Sequence, residues 1–304
     1  MTDFAPPRSA ERPPRSQWAD IWDQFKTHRG ALAGSIFFAL MLLAVALGPA
    51  AWPIDAQFID IRARNSGPSL AHPLGTDQLG RDTLARVLAG GRASIAVGLT
   101  AMLLSLVLGT LIGVAAGFFR RIDGPLMRLT DLFLALPLLP LLLVIILLFR
   151  DALRTAFGPE SGIFILVVFV IGITSWMQTA RIVRGDVLAL REREFVLAAK
   201  SIGTPSRRLI SRHILPNVLS PIMVSATLGI ANAIITESAL SFLGLGFPSD
   251  FPTWGRLLFD ATDYLQQYPE RVLWPGLAIS LTVLSVNYIG DGLRDALDPR
   301  IRGR

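Results

Sequence analysis

The chain contains no cysteine, which excludes disulfide staples, thiolate metal sites and cysteine nucleophiles and leaves the redox compartment open. It has two lysines, Lys26 after Phe25 and Lys200 after Ala199, so neither closes the Gly-x-x-x-x-Gly-Lys-Ser/Thr loop that cradles nucleotide phosphates. The three histidines, His28, His72 and His213, are too scattered for a metal motif. There is no G-x-S-x-G elbow, no H-E-x-x-H helix and no pair of carboxylates inside an apolar run, which argues against a membrane enzyme. Charge is also scarce. Only 17% of the 304 residues are charged and 52% are hydrophobic, whereas a soluble domain carries roughly a quarter charged residues.

What is present is a series of uncharged apolar runs. A helix crossing about 30 Å of hydrocarbon needs roughly 20 apolar residues, and six runs meet that need: Ala31 to Ile54, Ala93 to Phe119, Leu132 to Phe149, Ser161 to Ala180, Ile214 to Thr236 and Val272 to Gly290. About thirty mostly polar residues precede the first run, which is longer than a signal-peptide core, so it is expected to remain as an anchor. Of the 29 basic residues, 20 fall in the tail, in the second and fourth connections and after the last run, which predicts cytoplasmic termini. The net charge of +6 is thereby read as topology, without a nucleic-acid partner.

The stretch Glu237 to Gly246 is too short for a seventh span and is expected to be re-entrant or interfacial. Glu237 is the one acid adjoining a long uncharged stretch; acids so placed tend to face a cavity or a partner, and Glu237 is expected to line the outer pathway and meet a substrate amine. Asp131 and Asp291 sit at span ends, where capping or solvation accounts for them. Gly109, Gly113 and Gly117 form two overlapping small-xxx-small repeats that suit close helix packing. In the tail, Met1 to Ser16 is rich in Pro and Arg and reads as disordered, whereas Trp18, Ile21, Trp22 and Phe25 recur on one helical face, as in a helix lying on the membrane surface.

The connection Arg191 to Pro216, REREFVLAAKSIGTPSRRLISRHILP, reads as two short helices and a hinge. Arg191 to Ile202 carries Phe195, Ala198, Ala199 and Ile202 on one face; Gly203 suits a left-handed C-cap, Thr204 an N-cap and Pro205 the first helical position. Such an elbow, with small residues at Ala198 and Ala199, lets a partner surface come close.

At these residues the sequence resembles the type I permease subunits of ABC importers. Their EAA loop has the form EAA, three residues, Gly, then Leu-Pro about a dozen residues on. Here it reads LAA, Lys200 to Ile202, Gly203, then Leu215 and Pro216; Leu197 replaces the name-giving Glu, and Glu194 lies one turn earlier. The resemblance continues through HPLGTDQLGRD (His72 to Asp82), GGRASIAVGL (Gly90 to Leu99), SALSFLGLG (Ser238 to Gly246), PTWGRLL (Pro252 to Leu258) and GDGLRDALDPR (Gly290 to Arg300). These motifs are similar to the C-type subunits of the dipeptide, oligopeptide and nickel permease group. Each also has a plainer reading: Asp77 and Asp82 as helix caps, Gly75 and Gly80 as turn residues, Trp254 as an interfacial anchor.

The resemblance implies an all-α, six-span permease in the bacterial inner membrane. Its parts would be a cytoplasmic tail (1–30), a first span with an extracytoplasmic segment (31–91), a permease core (92–291) and a C-terminal tail (292–304). It further implies a homologous B-type permease partner, two ATP-binding subunits carrying ATP and Mg, an extracytoplasmic substrate-binding protein, and no cofactor on this chain. Docking to the ATPase falls to Glu194, Leu197, Ala198, Ala199, Gly203, Leu215 and Pro216. Peptides are the expected cargo, with nickel chelates or other peptide-like solutes as the alternative. An ion-coupled secondary transporter would need ionisable residues or broken helices near the midplane, and the runs lack charges; a purely structural anchor would not need the Gly hinge.

Overall fold

The computed structural model describes residues 17–248 and 250–297, so the Pro- and Arg-rich Met1 to Ser16 and the end of the last motif lie outside the described residues. Helix α1 (Gln17–Thr27) passes through His28 into α2 (Arg29–Ala51), and the His28 Nδ1 accepts the Ala31 N–H at 2.9 Å. The side chain of Trp18 is likewise outside the description. On α1, Phe25 is buried against Ala31 and Ala296, with Ile21 beside them, so the tail helix docks onto the final helix; Trp22 stays exposed.

A compact segment over 52–82, with one 3-10 turn at Ile61–Ala63, leads into α3 (Thr83–Phe118). This helix starts ten residues before the uncharged run at Ala93. Arg86 and Arg92 are accommodated because Arg86 pairs with Asp77 and Asp260, and Arg92 donates to the carbonyls of Val45 and Ala46. Helix α4 (Arg120–Ala135) and α5 (Leu138–Phe157) meet at 89°. Pro137 drives this bend, because it disfavours the helical conformation at Leu136 and has no N–H to continue the ladder. The expected third span, Leu132 to Phe149, therefore straddles this bend, with Leu132 to Ala135 in α4 and Leu138 onward in α5.

Helices α6 (Pro159–Ile173) and α7 (Trp176–Arg191) form one long apolar run interrupted at Thr174 and Ser175. Then come α8 (Glu194–Ser201), α9 (Ser206–Leu209), a π turn and a 3-10 turn that ends at Asn217, α10 (Leu219–Phe242), α11 (Trp254–Thr262) and α12 (Glu270–Leu297). Among the described residues five runs are long and apolar enough to cross a membrane, and the bent α4–α5 pair, counted as one span, makes a sixth. Glu237 to Phe242 belong to α10, which corrects the expectation of a separate re-entrant piece beginning at Glu237. The short helix after the turn is α11, and Trp254 at its start is fully buried with its indole N–H on the Val87 carbonyl at 2.9 Å, so it is a core residue and not an interfacial anchor.

Helix α3 lies at the centre and packs against α2, α6, α7 and α10. Its crossing with α7 runs over the three glycines: a Cβ at Gly109 would lie 2.8 Å from the Trp176 carbonyl oxygen, at Gly113 2.6 Å from that of Ala180, and at Gly117 2.7 Å from the Val187 Cβ. Backbones approach this closely only without side chains between them. Large apolar side chains such as Leu40 and Leu43 on α2 and Leu147, Leu148 and Phe149 on α5 point outward, as lipid contact requires.

Candidate functional site

The two helix interruptions converge on one cavity of about 350 Å³. Leu136 and Leu138 come from the α4–α5 bend, Thr174 and Ser175 from the α6–α7 break, Met102 and Ser105 from α3, and Ser225, Gly229, Asn232 and Thr236 from α10. Every polar group in the lining is neutral: Ser105, Thr174, Ser175, Gln178, Thr179, Ser225, Asn232 and Thr236. Ser175, Gln178 and Asn232 are exposed, although they sit within the apolar runs. A carboxamide facing hydrocarbon would forfeit several kcal/mol of hydrogen bonding, so this face is built for water, solute or another protein. Two ion pairs clamp α4 to α7 beside it: Arg184 donates through Nε and Nη2 to the two Asp123 oxygens at 2.5 and 2.8 Å, and Arg181 reaches Asp131 at 2.5 Å.

Glu237 does not line this cavity. It is wholly buried on the opposite side of α10, where its carboxylate accepts from Ser94 Oγ at 3.0 Å and Ser241 Oγ at 2.7 Å; Ser94 Oγ in turn accepts the Trp254 N–H at 3.2 Å. The structure thus departs from the expected contact with a substrate amine: the acid is wholly buried and joins α3, α10 and α11.

The elbow is held by its own chemistry. Gly203 has φ +81, its N–H bonds the Lys200 carbonyl at 3.0 Å, and the Thr204 N–H reaches the Ala199 carbonyl at 3.1 Å, the paired bonds of a Schellman stop. Thr204 is thus the residue completing the first helix's stop, and the cap of the second is Pro205, whose carbonyl takes the N–H groups of Arg208 and Leu209. Ala199 points inward, packed with Val196, Leu209 and Phe118, while Ala198 is exposed. The exposed apolar surface is therefore made by Phe195, Leu197, Ala198 and Ile202, the last 84% accessible. Glu194 opens α8, where a carboxylate favours the helix dipole. Leu215 and Pro216 lie in the 3-10 turn leading to α10; both are on the surface.

At the opposite end, the 52–82 segment folds around Asp77. Its carboxylate accepts from the backbone of Leu79 and Arg81 and from the guanidiniums of Arg81 and Arg86, both at 2.7 Å. Burial pushes this carboxyl up, but the charges of Arg86 and Arg81 and the hydrogen bonds from Arg81 outweigh it and hold it below the ordinary range. Asp82 is a helix cap, accepting from Ala85 N at 2.7 Å, and also meets His72 Nδ1 at 2.8 Å. Asp77 is not a cap but the centre of a charge cluster.

Sequence reasoning missed Gln178, Asn232, Thr174 and Ser175. Their signal was present, as uncharged polar residues inside apolar runs, but scanning for charges passes over amides and hydroxyls.

Comparison with known proteins agrees with this architecture. Residues 105–303 match the family described as binding-protein-dependent transport system inner membrane component, and residues 16–68 match the N-terminal transmembrane domain of oligopeptide transport permease C. The chain is 38% identical to the dipeptide transport system permease protein DppC of Alkalihalophilus pseudofirmus, over 98% of this chain and 95% of that protein. It is 43% identical to a putative peptide permease protein of Brucella suis (91% and 89% covered) and 37% identical to the oligopeptide transport system permease protein OppC of Bacillus subtilis (94% and 91%). Among solved structures, a chain of the inward-facing MetNI methionine ABC transporter superposes with a TM-score of 0.56 at 14% identity, covering 70% of this chain and 96% of that one. At that identity the likeness is one of fold.

Proposed function

The chain belongs to the family of binding-protein-dependent transport system inner membrane components, and from that premise we propose that it forms half of the path by which an ABC importer brings di- and oligopeptides across the inner membrane. The observation that carries this reading is the open cavity at the two helix breaks, with amides and hydroxyls and no charge in its lining. A peptide chain presents an N–H and a C=O at nearly every residue. Neutral donors and acceptors suit that repeating backbone without selecting for side-chain charge. The curated relatives named as dipeptide and oligopeptide permeases support the same cargo.

The exposed Gln178 and Asn232 face a homologous second permease, and the pathway lies between the two. The elbow end, with the basic 181–213 region, is cytoplasmic together with both termini; the 52–82 segment and α11 are extracytoplasmic and receive the substrate-binding protein. The surface of Phe195, Leu197, Ala198 and Ile202 seats in the ATPase subunits, which hold ATP and Mg; this chain contributes no nucleotide site. Ala199 and Gly203 keep that surface rigid, and Leu215 with Pro216 passes its movement to α10. ATP-driven closure of the ATPases then shifts α10 and α7, two of the walls of the cavity, and the direction of opening follows the state each partner binds better.

The test is competitive uptake of labelled di- and oligopeptides and of nickel in cells with and without this gene, the partner subunits being present. Loss of peptide uptake alone is the expected result. Loss of nickel uptake alone would keep the architecture and overturn the cargo.

A further inference from the structure

The charge cluster at the 52–82 end is not balanced. Three guanidiniums, of Arg81, Arg86 and Arg256, share the carboxylates of Asp77 and Asp260, and a fourth, of Arg271, lines the same cavity with no ion pair to either among the described residues. Arg86 is 2% exposed and Arg271 7%; each keeps one buried nitrogen, Nε of Arg86 and Nη1 of Arg271, without a hydrogen-bond partner. The other Arg271 nitrogen, Nη2, donates to Asn65 Oδ1 at 2.7 Å and the Thr76 carbonyl at 2.9 Å, and the guanidinium lies over Tyr268. Asp82 is taken up by His72 and the start of α3, and Glu270, the remaining acid near Arg271, is only half-buried.

Between these groups is a small cavity of about 30 Å³ lined by Arg86, Arg271, Asp77, Asp260, Thr83 and Pro275, among others. A cavity needs about 10–15 Å³ to hold one water-sized particle, so this one takes a monatomic ion and is too small for a phosphate or a peptide carboxylate. Buried cations left short of counter-charge are costly, and a buried N–H without an acceptor adds to that cost. We infer that the cavity is a halide site, in which one chloride ion accepts from Arg86 Nε and Arg271 Nη1 and ties the start of α3 to α12.

This site is independent of the cargo and of the pathway, so its failure would leave the transport reading intact. The test uses the assembled transporter, crystallised in bromide in place of chloride, and its thermal midpoint measured in chloride and in gluconate at equal ionic strength. The expected results are an anomalous bromide peak between Arg86 and Arg271 and a midpoint about 3 °C or more higher in chloride, a difference abolished in Arg271→Gln. A cavity containing only water in the bromide crystals, or equal wild-type midpoints in the two salts, overturns the inference whether or not the variant assembles.

Discussion

Ser94 on α3 and Glu237 on α10, 143 residues apart, meet through a 3.0 Å hydrogen bond wholly inside the protein. The same serine oxygen receives the backbone N–H of Trp254, so a single hydroxyl fixes the three helices α3, α10 and α11. Removing the acid leaves two buried hydroxyls short of an acceptor, each costing about 1–3 kcal/mol. Glu237→Ala is therefore expected to lower the thermal midpoint of the purified transporter clearly, whereas Glu237→Gln, which keeps an oxygen acceptor, retains peptide uptake near wild type. Abolished uptake in a Gln variant that assembles normally would place the acid on the pathway after all.

The α3–α7 crossing has no room at Gly113, where even a methyl group would sit 2.6 Å from the Ala180 carbonyl oxygen. Gly113→Ala is expected to cost about 1–3 kcal/mol through overpacking. Gly185→Ala on α7, with nothing within 4 Å, should be neutral or gain up to about 1 kcal/mol from helix propensity. Thermal melts of the two variants in one detergent decide it.

At the elbow the two alanines separate. Ala198 is exposed and Ala199 is packed on Phe118, so Ala198→Trp should leave insertion and folding intact while uncoupling ATP hydrolysis from uptake, and Ala199→Trp should disturb the elbow itself and reduce assembly. Paired ATPase and uptake assays in reconstituted vesicles read the difference.

Asp77 carries a pH signature. Its carboxyl is held below its ordinary value, so its ionised form contributes stability that is fully present above the unfolded-chain value of about 3.9 and is lost as pH falls through the lower, folded one. The midpoint of wild type should exceed that of Asp77→Asn at pH 7, and the gap should close only below about pH 4. A gap that closed between pH 5 and 7 would contradict this.

How much could be read in the sequence follows from where the information is local. Hydropathy located the spans, and the Gly203 stop and the α3 glycines are short-range patterns. The true start of α3 was hidden because Arg86 is paired with Asp77 and Asp260 and Arg92 donates to the carbonyls of Val45 and Ala46, all partners outside the helix. Glu237 looked like a pathway residue because, of its two serine partners, Ser94 lies 143 positions away and Ser241 reads as an ordinary neighbour on the same helix. The bend at Pro137 was visible as a proline, but its 89° geometry and its meeting with the Thr174–Ser175 break depend on tertiary packing, and so did the cavity.

In the proposed function, the neutral cavity at the helix breaks faces a solute path. Because the chain has no native cysteine, Asn232→Cys and Gln178→Cys each place one thiol there. In the assembled, reconstituted transporter a membrane-impermeant maleimide should label both positions, at rates that change between nucleotide-free and ATP-trapped states, and labelling should block peptide uptake. Leu147→Cys, on the outward face of α5, should stay unlabelled. If Asn232→Cys and Gln178→Cys react only with lipid-soluble reagents, or if full labelling leaves uptake unchanged, the cavity is not the path.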